Sequence, residues 1–225
     1  MRRILPPLIF GLAGTAILLW LGVWQMQRLA WKEAILADID ARILSDPVPV
    51  PVMPDPEADR YLPVIETGLI TGDELHVLAS AKTVGALFRV IAAFEADTGR
   101  RLMIDRGYVR PEEKDTPRAP VSATVTGNLH WPDETDSFTP DADPDANIWY
   151  ARDVAAMAGA LGTEPVLIIV RETSETDSSV TPLPVDTVGI PNDHREYAIT
   201  WFSLAVVWLI MTGYFIWRRL KEERP

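Results

Sequence analysis

The chain has 225 residues, with 32 Asp and Glu against 21 Lys and Arg, a formal net charge of −11, three histidines and no cysteine. A cysteine-free chain forms no disulfide, thiolate metal site, thiol redox centre or covalent c-type haem linkage. The charge is sorted: residues 29–197 hold 30 acidic and 14 basic side chains, net −16, whereas the two ends together are net +5, a pattern that membrane topology explains without a nucleic-acid partner.

Residues 8–24, LIFGLAGTAILLWLGVW, carry no charge. They are long enough to cross a hydrocarbon core of about 30 Å as a helix. Arg2 and Arg3 precede them, and no small-x-small cleavage site follows. The expectation is an uncleaved anchor over 8–28 behind a cytoplasmic segment 1–7, with no mitochondrial presequence. Helix should continue over 29–44, where Leu36, Ile39 and Ile43 recur at spacings of three and four. Five prolines within 46–56 end it, and an extended connector is predicted there.

Strands are predicted over 64–70, 74–80, 87–95, 101–109 and 124–130. Thr71-Gly72-Asp73 reads as a turn between the first two, and Asp97-Thr98-Gly99 as a hairpin turn. A solvated loop over 132–147 carries six acidic residues and three prolines. Its Asp141-x-Asp143-x-Asp145 lacks the mid-loop glycine of a calcium loop, and Arg152 stands where the twelfth-position Glu is needed. A helix is predicted over 153–161, with Asp153 as N-cap and Gly162 just past its end. Residues 165–171, PVLIIVR, read as a strand of buried type. The second charge-free run covers 198–217, and Arg218, Arg219 and Lys221 follow it.

The fold class expected is therefore a membrane protein of α+β type. Transmembrane helices over 8–28 and 194–217 flank an antiparallel β-rich domain spanning 29–193, which includes a juxtamembrane helix over 29–44, and a cytoplasmic tail covers 218–225. Both termini should lie in the cytoplasm and the central domain in the periplasm of a bacterial inner membrane, with membrane lipid as a contact.

Enzyme signatures are missing. There is no Walker A, G-x-G-x-x-G or G-x-S-x-G, and no zinc-binding helix motif. His76 reads as a strand-surface residue and His130 as a strand-end residue. His194 differs, because Asp193 and Glu196 suit a capping box that puts it in the first turn of the second membrane helix. About 25 residues separate it from Arg218, roughly 37 Å of helix, so it should stand at the outer interface.

Positions 194, 197, 201, 204, 208, 211 and 215 share a helix face: His194, Tyr197, Trp201, Leu204, Trp208, Met211 and Phe215. A flat macrocycle could pack there with His194 as axial ligand, and the helix N-terminus disfavours imidazolium. Interfacial aromatics and helix packing explain the same stripe. Met211 lies too deep to bind the same iron. At the outer end of the first anchor, Trp24, Arg28 and Trp31 share a face beside Gln25. Arg28 suits a carboxylate such as a haem propionate, or simple snorkelling. Gly22 would let the second helix approach closely.

At these residues the chain resembles the surfeit locus protein 1 family. Leu21 to Arg28 followed by Trp31-Lys32 looks like its G-x-W-Q-x-x-R-x-x-x-K signature, and Arg106-Gly107-Tyr108-Val109 like its R-G-[WY]-V element. Residues 147–153 resemble its W-x-x-x-D segment, and Asn192, His194, Tyr197, Ala198, Thr200, Trp201 and Phe202 its second-helix signature.

The resemblance implies an assembly factor for cytochrome c oxidase rather than an enzyme. Such a factor binds haem a, with haem o left open, and assists its insertion into oxidase subunit I; haem a synthase is a further candidate partner. It implies His194 as the haem-linked histidine. Tyr197, Trp201, Trp24, Gln25 and Arg28 form the expected surroundings, and Arg106 is carried over as a ligand contact or a strand brace. The alternative is a membrane scaffold that stabilises nascent subunit I without holding haem.

Overall fold

The computed structural model describes residues 4–81, 84–176, 178–187 and 190–222. Arg2 and Arg3 lie outside the described residues. The chain divides into two units. One comprises Met1–Asp38 and Thr187–Pro225, the other Ile39–Asp186.

The first unit is a pair of long helices, α1 (Leu5–Ile43) and α3 (His194–Glu222); the last turn of α1 belongs to the second unit. Pro6 and Pro7 stand in the first turn of α1, where a missing N–H costs nothing. Only 11% of the apolar window of α1 and 6% of that of α3 is buried. Neither is the core helix of a soluble domain, and both are long and apolar enough to cross a membrane. The helix expected over 29–44 is the continuation of α1, which stays helical to Ile43.

Side chains pair the helices in antiparallel register. Trp208 Nε1 donates to the Gly11 carbonyl at 3.0 Å, a carbonyl that also accepts from Thr15 Oγ1 at 2.8 Å. The Phe10 and Trp208 rings lie 5.4 Å apart. A Cβ on Gly22 would fall 2.6 Å from Phe202 Cε1, so a larger residue at this crossing would push the Phe202 ring aside. The buried seam of α3 runs through Ala198 and Ala205, with Trp201, Phe202, Trp208 and Thr212 half-buried beside it. The stripe expected from sequence is rotated against this seam, so that Tyr197, Leu204, Met211 and Phe215 are exposed.

The second unit is a closed five-stranded barrel in the order β1-β2-β3-β5-β4. Its strands are β1 (Pro63–Ala81), β2 (Gly85–Ala96), β3 (Arg101–Val109), β4 (Val121–Leu129) and β5 (Leu167–Thr173). Four of the five pairings are antiparallel, and β3 with β5 is parallel. Helix α2 (Val154–Leu161) packs outside. This packing explains the unbroken apolar run of β5. Ile168 and Val170 join Phe94, Leu102 and Ile104 in one cluster, while Leu167 and Ile169 join Met103, Met157 and Leu161 under α2. The expected caps are present: Asp153 accepts from Ala156 N at 3.0 Å, and Gly162 is left-handed at φ 63°.

Two expectations are corrected. Residues 71–73 are not a turn between strands but an irregularity within the single long β1, opposite Ala93, whose carbonyl accepts from Thr71 Oγ1 at 3.0 Å. Unpaired residues and a glycine bend a strand as readily as they end it. His76 is not on the surface. The segment around Trp149 adds to the edge of β1, with Trp149 N donating to His76 O at 2.8 Å, and His76 is 4% exposed. The prolines of 46–56 do give an extended connector. It bridges Val48 to Val64 and buries Val50, whose N–H donates to Glu66 Oε1 at 2.9 Å.

Candidate functional site

Helix pairing brings the two outer ends of the first unit together. His194 is the first residue of α3, and Tyr197 N donates to the carbonyl of Asp193 before it. Gln25, buried in the seam of α1, places its Oε1 2.7 Å from His194 Nδ1. With the amide oxygen as acceptor, Nδ1 carries the proton and Nε2 keeps a lone pair. Nε2 has no hydrogen-bond partner among the described residues. Two turns further along α1, Lys32 Nζ donates to the carbonyl of Pro191, fastening the segment that leads into α3.

Around this pair the aromatics divide. Tyr197 is 56% exposed and Trp24 is 40% exposed, whereas Trp201 is half-buried. The Arg28 guanidinium lies 5.8 Å from the Trp24 ring and 5.2 Å from the Trp31 ring, a cation held between two indoles. It meets no carboxylate among the described residues. A hollow of about 250 Å³ lined by Asp193, Glu196, Tyr197 and Thr200 opens beside the first turn of α3. At the other end of the pair, Pro7, Phe10, Trp208, Met211, Thr212 and Phe215 line an apolar groove of about 240 Å³.

Arg106 belongs to the barrel unit. Asp105, Arg106 and Gly107 form a bulge on β3, and Val90 alone faces the last two. The bulge aims the nearly buried guanidinium at Glu175, whose two oxygens accept from Nη2 at 2.7 and 2.9 Å. Gly107 has φ 117°, and a Cβ there would fall 2.0 Å from Thr181 O. Backbone bonds between Tyr108 and Thr181 close the strap beyond β5 onto this bend.

A buried charge chain in the barrel escaped sequence reasoning. Asp105, fully buried, accepts from Arg89 Nε at 2.6 Å and lies 3.5 Å from Arg152 Nη1, while Arg152 Nε donates to Glu134 at 3.1 Å. Burial pushes the Glu134 carboxyl up, but the hydrogen bonds and charge of Arg152 outweigh it and hold the group below the usual carboxylate range. The acidic loop closes its own turns: Asp136 accepts from Phe138 N and Asp143 from Ala146 N. Among the described residues, no three His, Asp or Glu side chains cluster as a metal site. His130, stacked 5.1 Å from the Tyr61 ring, is held neutral by burial and by the charges of Arg152 and Arg60, its pKa lowered to about 4.

Comparison with known proteins decides the family, because the sequence model of the SURF1 family matches residues 12–206. The chain belongs to the SURF1 family. It is 28% identical to surfeit locus protein 1 of Rattus norvegicus, over 91% of this chain and 72% of the rat protein. Identity to the Homo sapiens protein of the same name is 27%, over 91% of this chain and 74% of that one. A SURF1-like protein of Monosiga brevicollis is 32% identical, over 85% of this chain and 80% of its own length. The family match includes Gln25 and the His194 helix head as well as the barrel.

Proposed function

We propose that the chain carries haem a as cargo and assists its insertion into subunit I of cytochrome c oxidase, binding and orienting rather than catalysing. The observation that carries this reading is His194 at the head of α3, its Nδ1 held 2.7 Å from Gln25 Oε1 and its Nε2 without a partner among the described residues. A haem asks for one such nitrogen, flat apolar surface and a cation for its carboxylates. The helix ends offer His194 for the iron, Trp24, Tyr197 and Trp201 for the ring, and Arg28 for a propionate. Arg106, engaged by Glu175, serves the barrel as a brace. The iron and its redox chemistry belong to the cargo; the residues supply ligation, orientation and shelter.

The sorted charges support a membrane address. α1 and α3 span the bilayer with both basic ends cytoplasmic and the acidic barrel periplasmic, as in a bacterial inner membrane. One observation favours the scaffold as a second reading: the outward faces of both helices are apolar and almost wholly exposed, as docking against the helices of subunit I requires.

Complementation separates the two. In cells lacking this protein, the His194→Ala chain should reach the membrane yet leave the oxidase without haem a. Normal oxidase assembly by that variant would favour the scaffold and refute haem carriage.

A further inference from the structure

We propose that Gln25 is a positioning residue: its side-chain oxygen holds His194 as the Nδ1–H tautomer and thereby makes Nε2 the nitrogen that faces cargo iron. The purpose of this device rests on the haem reading above; its geometry does not. A carboxamide and a neutral imidazole can meet in two ways. The oxygen can accept from Nδ1–H, leaving Nε2 a lone pair. The amide can instead donate to Nδ1, which puts the proton on Nε2 and leaves neither nitrogen free for a metal.

The location favours the first arrangement. The partner of Gln25 is the first residue of α3, where unpaired backbone N–H groups make the helix end positive. That end attracts the amide oxygen and repels the amide hydrogens. A helix seam gains little from a glutamine otherwise. Gln25 is 8% exposed in the seam, where an apolar side chain would pack without giving up water. Interhelical polar bonds in membranes add little net stability. The Lys32 bond to Pro191 fixes the backbone just ahead of the ring, so Gln25 needs to set only the ring's orientation and proton. A ligating histidine held through its second nitrogen is the general arrangement of metal sites.

The test uses the full-length protein, labelled with 15N-histidine, in detergent micelles and without haem. Long-range 1H–15N correlation, with His194→Ala for assignment, should show His194 protonated at Nδ1, and Gln25→Leu should remove that preference. His194 protonated at Nε2, or an unchanged tautomer in Gln25→Leu, would overturn the proposal. With haem b as the probe, Gln25→Leu should weaken binding about 10–100-fold. Gln25→Glu, which keeps an acceptor oxygen, should retain binding within a few-fold and lower the reduction potential of the bound haem. A purely structural seam residue would leave the potential unmoved, and wild-type affinity in Gln25→Leu would count against positioning. Retention of haem by His194→Ala would instead refute the haem reading, while the haem-free tautomer result stands on its own.

Discussion

The indole nitrogen of Trp208 donates to the carbonyl oxygen of Gly11 at 3.0 Å, across 197 residues of sequence. This bond sets the register of the helix pair. Gly11 to Gln25 and Trp208 to His194 are both spans of 14 residues, so a match at one end delivers a match at the other. Each span is close to four helical turns, about 21 Å, and residues four turns apart return to the same face.

That register can be captured covalently, because the chain has no cysteine of its own. A Cβ on Gly11 would lie 2.9 Å from Thr212 Cβ, and a disulfide needs roughly 3.5–4.5 Å. A shift of less than about 1 Å suffices. The Gly11→Cys/Thr212→Cys chain should form an intramolecular cross-link on mild oxidation, seen as a mobility change on non-reducing gels. Cross-linking only between separate chains would contradict the pairing.

The charge chain in the barrel should be unforgiving of single removals. Asp105→Ala leaves the buried Arg89 guanidinium without a carboxylate and Arg152 with Glu134 alone. We expect a loss of about 3–5 kcal/mol in denaturant unfolding. An Arg89→Met/Asp105→Leu pair, which removes both charges of the closest bond, should recover a large part of it.

Gly107→Ala should destabilise by at least about 2 kcal/mol. Its φ of 117° disfavours a side chain, and the added Cβ would meet Thr181 O at 2.0 Å. Hydrogen exchange should rise first at Tyr108 and Thr181, whose mutual backbone bonds must open. Unchanged protection there would contradict the role given to the bend.

His130 gives the barrel a pH dependence of known sign. Its pKa in the fold is about 4, against 6.5 for the free side chain. Below pH 6.5 the unfolded chain takes up a proton that the folded chain refuses, so stability is lost as pH falls from 6.5 towards 4. At a half-buried site, screening reduces the effect to about 2 kcal/mol. His130→Gln should flatten unfolding free energy across that window.

The sequence showed what depends on local pattern. Uniform apolar runs gave both long helices, because a membrane-length charge-free segment has few other solutions. Alternation gave most strands, and Asp153 with Gly162 gave α2. It did not show that β1 continues through residues 71–73, because a bulge and a turn use the same residue types. Barrel closure was equally hidden, since the parallel β3–β5 pairing joins distant segments. The Arg89–Asp105–Arg152–Glu134 chain carries no motif at all. In the site, His194 and Gln25 were legible as residues at matching depths, but not as a bonded pair. The stripe through Tyr197 and Met211 missed the true seam, in which Gly11, Gly14 and Gly22 of α1 meet Thr212, Trp208 and Phe202 beside the buried Ala198 and Ala205.

The central claim, that His194 ligates the iron of a carried haem, is tested most directly by optical spectra. Full-length wild-type and His194→Ala proteins would be purified from cells that make haem a. The wild type should show Soret absorption with close to one haem per chain, and His194→Ala should show none. A wild type without haem, or a variant with an unchanged Soret band, would contradict the account.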